Sequence, residues 1–320
     1  RLAGVARAAA RPTVRPGRGV TLERTCPDCG TRYPSRAIRC PGCGVGYREA
    51  KIRAEEAREA VRARPHAMAK AGIEPGEVDI LILSTATPDR WLPSTACDTQ
   101  ALLGCDHAVS LDVMAACSGQ LYALSMAEGY IAAGRGEVAL VIATVKMSAI
   151  LVWDDRTTAV LFGDGAGAAV LKPSNGSGRG ILSSHHQSDG NLAELLYRPG
   201  GGAVEPISHD VLDQGRHLLR MQGREIFKNA VRSMAEACDI ALQKAGLTAA
   251  DIDLLVPHQA NIRIIEATAK YAGIPKEKVY VNVDSYGNMS SATVPVAFDE
   301  AIEKGLIGPG STVLTVAFGA

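Results

Sequence analysis

No window of this 320-residue chain approaches eighteen uninterrupted apolar residues, which excludes a membrane-spanning helix as the organising element. A charged-then-apolar leader ending in a cleavage site is also missing from the first thirty residues, so the chain is expected in the cytoplasm. Aromatic residues are few, four Phe, eight Tyr and two Trp, and a core of this size has to be built mainly from aliphatic side chains. Net charge is zero, which gives no reason to expect a nucleic-acid or membrane partner for the chain as a whole.

That zero hides an asymmetry. Residues 1–64 hold 14 Arg and Lys51 against six acids, a charge of +9, and the remainder carries −9. Residues 1–25 are Arg-, Ala- and Gly-rich without apolar periodicity and read as a basic disordered tail. The segment 26–46 follows, with Cys26-Pro-Asp-Cys29-Gly and Cys40-Pro-Gly-Cys43-Gly. Two C-x₂-C pairs ten residues apart can each wrap two thiolates around one side of a tetrahedral Zn²⁺. This segment resembles a short zinc ribbon, and any zinc held by four cysteines would be structural, with no open position for chemistry.

From residue 47 onward the pattern is that of an α/β protein. Buried-strand runs (79–85, 108–114, 139–143, 254–256) alternate with helical segments (95–103, from 119, 225–245). The glycine-rich Gly163-Asp164-Gly165-Ala166-Gly167 lies between apolar β-type runs and opens no helix, so it predicts close backbone approach within a sheet rather than a phosphate cradle. Ile181 to Ser184 reads as a further strand, and 188–216 mostly as loop. Lys70-Ala-Gly-Ile-Glu-Pro-Gly-Glu-Val-Asp-Ile-Leu is echoed in register by Lys244-Ala-Gly-Leu-Thr-Ala-Ala-Asp-Ile-Asp-Leu-Leu, which implies two halves of similar topology, 47–178 and 179–320.

One cysteine stands at a special position. Cys117 follows an apolar strand-like run and precedes a helical one, flanked by Ala115, Ala116, Ser118 and Gly119. Small neighbours clear space around the sulfur, and the unpaired N–H groups of a helix start can stabilise a thiolate or an oxyanion. Taken by itself it could equally be a small buried hydrophobe. His258, in Pro257-His-Gln-Ala-Asn261, follows a buried strand at its carboxyl end, where α/β sheets place their sites, and Asn288 lies in a Gly/Ser loop of the same half.

Together, Ala115-Ala-Cys117-Ser-Gly119, Asp155-Arg156-Thr-Thr158 with Phe162-Gly-Asp-Gly-Ala-Gly167, Met221 to Lys228, Pro257-His-Gln-Ala-Asn261 and Tyr286-Gly-Asn288 resemble the β-ketoacyl-acyl-carrier-protein synthase III family of the thiolase superfamily. The resemblance covers about residues 49–320. It implies a thiolase-like fold of two βαβ-rich halves layered αβαβα, here without the family's first and last strands, and a homodimer. The implied reaction is decarboxylative Claisen condensation of an acyl-CoA primer, acetyl-CoA first, with malonyl-acyl carrier protein, without a cofactor.

The resemblance implies a catalytic set of Cys117, His258 and Asn288. The backbone at Cys117 and Gly319 would form the oxyanion hole. Arg156 and Arg263 would contact CoA or the carrier, and Leu92 would reach the partner subunit's acyl pocket. A polyketide-type starter synthase or other thiolase-superfamily condensing enzyme, and an inactive incomplete synthase fused to a zinc-ribbon interaction module, are the alternatives.

Overall fold

The computed structural model describes residues 23–25, 32–34, 67–174, 176 and 178–319. The chain divides into two compact units, residues 1–52 and 53–320. In the first, β1 (Glu23–Thr25) pairs antiparallel with β2 (Arg32–Pro34). The four cysteines of the zinc expectation, Cys26, Cys29, Cys40 and Cys43, lie outside the described residues.

In the second unit, β3 (Ile80–Ser84) is the centre of a four-stranded sheet in the order β4-β3-β5-β6. β4 (Val109–Val113) and β5 (Ala139–Lys146) run parallel to β3, and β6 (Asp164–Leu171) runs antiparallel to β5. Every residue of β3 is buried because successive side chains point to opposite, equally covered faces. Leu81 and Leu83, with Leu140 and Ile142, pack with Ala96 and Leu103 of α1 (Thr95–Leu103). Ile80 and Ile82, with Ala139 and Val141, pack with Ala123 and Ala127 of α2 (Gly119–Ala132). α1 starts where the Asp112 carboxylate accepts from the N–H groups of Thr95 (2.8 Å) and Ala96 (2.7 Å), and it stops at Gly104, whose φ of 70° suits glycine.

A hairpin of β7 (Leu196–Tyr197) and β8 (Arg220–Met221) separates this half from the next. The second half holds α3 (Gly223–Ala245), β9 (Leu254–Pro257), α4 (Ile262–Tyr271), α5 (Thr293–Glu303) and β10 (Val313–Val316), with β10 parallel to β9. Faces alternate again: Leu255 packs with α3 and α4, whereas Leu254 and Val256 pack with Ala297 and Ala301 of α5. α5 also touches the first sheet, since a Cβ at Gly167 on β6 would stand 2.8 Å from Pro295 Cγ. Helices therefore cover both sheets and α5 lies between them.

The internal echo extends much further than the sequence match. A constant shift of 174 positions, 246 against 72, relates helix ends capped by left-handed Gly72 and Gly246. It also relates the capping-box turns Pro75–Glu77 and Ala249–Asp251, the starts of β3 and β9, the 3₁₀ turns Ala116–Ser118 and Ser290–Ala292, and the starts of α2 and α5. Ala116 (φ 40°) and Ser290 (φ 45°), the described non-glycine residues with positive φ, are themselves 174 apart.

The glycine-rich run behaves as expected. It enters β6, and Cβ atoms at Gly163 and Gly165 would lie 2.2 Å from the Tyr286 carbonyl oxygen and 2.3 Å from Met289 Sδ. Those glycines let the first half press against the loop that carries Asn288. The expected strand at 181–184 does not form. Instead of pairing with a strand, Ser183 Oγ donates to the Ala241 carbonyl (2.7 Å), and the Ser184 carbonyl accepts from Lys244 Nζ (3.0 Å), both on α3.

Candidate active site

Cys117 sits in the 3₁₀ turn that joins β4 to α2. The backbone reaches it through Ala116 at φ 40°, a conformation that costs an alanine about 1–2 kcal/mol and presents the next side chain at the top of the sheet. Glycine is required at the first position of α2, because a Cβ on Gly119 would fall 1.9 Å from Ser84 Oγ. The Cys117 side chain is buried. Burial pushes its thiol up to about 11, against an opposing hydrogen bond from Ser290. The resting group is therefore the thiol, and it needs a base.

His258 follows β9 and is likewise buried. Burial drives its imidazole down to about 4, so it is neutral at pH 7. Its Nδ1 lies 2.6 Å from Thr293 Oγ1, and that hydroxyl donates to the Ser290 carbonyl at 3.0 Å. A hydroxyl has one proton. With that proton on Ser290 O, the Thr293 oxygen accepts from Nδ1–H, and the network assigns a bare Nε2 to the neutral ring. An Nε2–H thus exists only after this nitrogen has taken a proton.

Asn288 is buried in a loop clamped to the first half. Its N–H donates to the Leu161 carbonyl (2.7 Å) and its own carbonyl accepts from Gly163 N–H (3.0 Å). Its side-chain Oδ1 accepts from Ser290 N–H (2.8 Å), which fixes the amide orientation and leaves the NH₂ as a donor. Gln259, the neighbour of His258, ties the elements together. Its Nε2 donates to the carbonyls of Pro257 (2.9 Å) and Tyr280 (3.1 Å), and its Oε1 accepts from Asn282 N–H (3.0 Å). Glu300 on α5 then accepts from Tyr280 (2.9 Å), Asn282 (2.8 Å) and Tyr286 (2.6 Å), spanning both ends of the segment that leads to Asn288.

Cys117, His258, Asn288 and Gly319 line one cleft. Gly319 lies directly over the elbow: a Cβ there would be 2.6 Å from Cys117 N and 2.7 Å from Ser118 N. A smaller cavity of about 290 Å³ opens on another side of Cys117, walled by Trp91, Met114, Met147, Ile150, Phe162 and Leu219 among others. Arg156 and Arg263 are exposed and line neither cavity, although their neighbours Thr157 and Asn261 line the cleft. Leu92 is 86 % exposed, and Trp91 beside it lines the smaller cavity. Thr293 and Ser290 are the functional residues that sequence reasoning missed. The 174-residue shift, extended past Leu255, leads to both. Among the described residues no group of three His, Cys, Asp or Glu could hold a metal ion, and no helix is long and apolar enough to cross a membrane.

One fold unit used twice, with a cysteine from the first copy lining the same cleft as a His and an Asn from the second, is the architecture of a thiolase-like condensing enzyme. Sequence models of 3-oxoacyl-[acyl-carrier-protein (ACP)] synthase III match residues 111–190, and those of its C-terminal region match 242–320. A β-ketoacyl-[acyl-carrier-protein] synthase III of Symbiobacterium thermophilum is 49% identical over 261 residues, 82% of this chain and 79% of the relative. The crystal structure of 3-oxoacyl-[acyl-carrier-protein] synthase III from Aquifex aeolicus VF5 superposes with a TM-score of 0.76 at 42% identity, covering 83% of this chain and 81% of that one. The priming β-ketosynthase of the R1128 polyketide biosynthetic pathway superposes with a TM-score of 0.71 at 35% identity, covering 84% and 78%. The chain belongs to the β-ketoacyl-[acyl-carrier-protein] synthase III family, a family of acyltransferase-type condensing enzymes.

Proposed function

We propose that this chain condenses an acyl-CoA primer, acetyl-CoA first, with malonyl-acyl carrier protein to start fatty-acid synthesis. The observation that carries the reading is the convergence of Cys117, His258 and Asn288 on one cleft, with the Gly319 backbone over the Cys117 amide.

In the first half-reaction the lone pair on His258 Nε2 takes the Cys117 Sγ proton. The thiolate attacks the primer thioester, and the tetrahedral oxyanion is held by the N–H groups of Cys117 and Gly319. The attack forms the bond from carbonyl carbon to Sγ, and collapse of the oxyanion breaks the bond to CoA, which leaves as its thiolate. In the second half-reaction the malonyl carbon–carboxylate bond breaks, CO₂ departs, and the electron pair becomes a thioester enolate. Its oxygen is met by the Asn288 NH₂ and by the Nε2–H that His258 gained from Cys117; the negative charge of the malonyl carboxylate, and then of the enolate, favours keeping that proton in place. Enolate carbon attacks the acyl–Cys117 carbonyl, collapse breaks the acyl–Sγ bond and releases the β-ketoacyl product, and the Cys117 thiolate takes back the proton from His258 Nε2, which restores the resting thiol and the neutral imidazole. The sequence needs no cofactor.

The remaining assignments follow the same reading. Leu92, an aliphatic side chain almost fully in solvent, is suited to cover the smaller cavity of a second copy in a homodimer. Arg156 and Arg263 would contact the phosphates of CoA or the acidic surface of the carrier, a reading supported by their exposure beside the cleft-lining Thr157 and Asn261. The protein is assigned to the cytoplasm, where both substrates would be met, and no nucleic-acid or membrane partner is assigned. Cys26, Cys29, Cys40 and Cys43 have the spacing of a structural zinc site, and about one zinc per purified folded chain is the expected content. Markedly less, by metal analysis, removes that assignment.

Transfer of radiolabel from acetyl-CoA to protein tests the main reading. Label on the wild type and none on Cys117→Ala supports it. Folded wild type that takes label from none of a series of acyl-CoA primers overturns it. A starter synthase of the polyketide type, the second reading because the priming β-ketosynthase shares the fold at 35% identity, would accept label from a different primer in the same assay.

A further inference from the structure

The cavity of about 290 Å³ beside Cys117 has an unusual member in its wall. It is otherwise lined mainly by apolar side chains and glycines, yet it includes Arg198, just after β7. Arg198 is half-buried, and its Nε donates to the His217 carbonyl at 3.0 Å. Its Nη2 reaches toward Gly201, another lining residue, within 3.7 Å of where a Cβ there would stand. Among the described residues no carboxylate pairs with it. The acids of the same region are engaged elsewhere: Glu205 Oε1 accepts from Arg216 Nε (2.9 Å) and Asp210 Oδ2 from Arg216 Nη2 (2.6 Å). Burial alone, with no carboxylate to offset it, holds the Arg198 guanidinium below its ordinary value.

A guanidinium in such a wall is poorly matched to a purely hydrocarbon tail, which would remove more of its water and offer nothing in return. A carboxylate matches it well, because the planar fork accepts two parallel N–H···O bonds. The cavity has the space of roughly ten water molecules, enough for a chain of several carbons on Cys117 Sγ. Resting on the reading of Cys117 as the acyl-carrying nucleophile, we propose that this pocket takes a primer whose far end is a carboxylate, the half-thioester of a short dicarboxylic acid, with Arg198 as its anchor. Arg198 then determines specificity and takes no part in the bond-breaking steps.

The test compares succinyl-CoA with butyryl-CoA, two four-carbon primers that differ at the far end, as label donors to the full-length protein. The second-order rate of acyl transfer is measured for the wild type, Arg198→Leu and Arg198→Lys. The proposal requires a succinyl-to-butyryl ratio above one in the wild type and a fall in that ratio of tenfold or more in Arg198→Leu, with Arg198→Lys between them. Failure of either requirement overturns it, and the wild-type ratio alone decides should Arg198→Leu not fold. Protein labelled by acetyl-CoA or butyryl-CoA but not by succinyl-CoA overturns this inference and leaves the condensing reading standing. Folded wild type labelled by none of the three counts against the condensing reading itself.

Discussion

Thr293→Val removes one oxygen from the site and leaves its shape nearly unchanged. Thr293 and His258 are both buried, and the 2.6 Å contact between them is the bond that keeps the proton on Nδ1. With a methyl group in place of the hydroxyl, a buried Nδ1–H would be left without an acceptor, which costs about 1–3 kcal/mol. The neutral ring escapes that cost by moving its proton to Nε2. That nitrogen can then no longer take the thiol proton. At about 1.4 kcal/mol per factor of ten, acylation of Cys117 should slow by roughly 5- to 150-fold. Decarboxylation of malonyl-acyl carrier protein should suffer less, since the new tautomer already offers Nε2–H to the enolate. Thr293→Ser retains the hydroxyl and should acylate within about threefold of the wild type. The assay is single-turnover transfer of label from acetyl-CoA, run beside CO₂ release from malonyl-acyl carrier protein. Acylation by folded Thr293→Val within threefold of the wild type, or a decarboxylation loss as large as the acylation loss, refutes the tautomer argument.

Two further outcomes follow from the same geometry. Gly319→Ala places a carbon 2.6 Å from the Cys117 amide nitrogen, so the turn must move away from the oxyanion position; kcat should fall by about 10²–10³ with the fold retained, and a fall of less than threefold would mean Gly319 is not in the hole. His258, held neutral down to about pH 4 when folded but protonating near 6.5 when unfolded, gives the unfolded state the extra proton in that interval. Stability should therefore drop as pH falls from 6.5 toward 4, by up to about 3 kcal/mol from this group. Urea unfolding of the wild type and His258→Gln across that range checks it: equal slopes in the two proteins would exclude the assignment.

How much could be read in the sequence depended on what kind of information each residue carries. Cys117 and His258 are reactive residue types at strand ends, Asn288 is an ordinary turn residue that gains meaning only beside them, and the structure brings all three to one cleft. Buried strands announced themselves by their aliphatic runs, and the glycines of 163–167 by an absence of side chains where two halves meet. Thr293 and Ser290 are ordinary small polar residues near a helix start, and their importance comes from where the fold aims them. Arg198 lies in the stretch between residues 188 and 216, where no periodicity marks a facing direction, so only coordinates could show that it lines a cavity. The strand expected at 181–184 had the right composition but no strand beside it, and its polar groups turned to α3 instead.

The two left-handed residues, Ala116 and Ser290, bear on how strain should be interpreted. A contorted residue next to a nucleophile is easily taken as energy stored for catalysis. Here the same contortion recurs 174 positions later in front of Ser291, which is no nucleophile in the reaction proposed, where it turns the Ser290 carbonyl toward the Thr293 hydroxyl. Strain of this kind is a property of the repeated scaffold and was not added for the sulfur. One inherited bend aims a reactive atom in one copy and orients that atom's base in the other, so a substitution that relaxes either bend should disturb the same proton transfer from opposite ends.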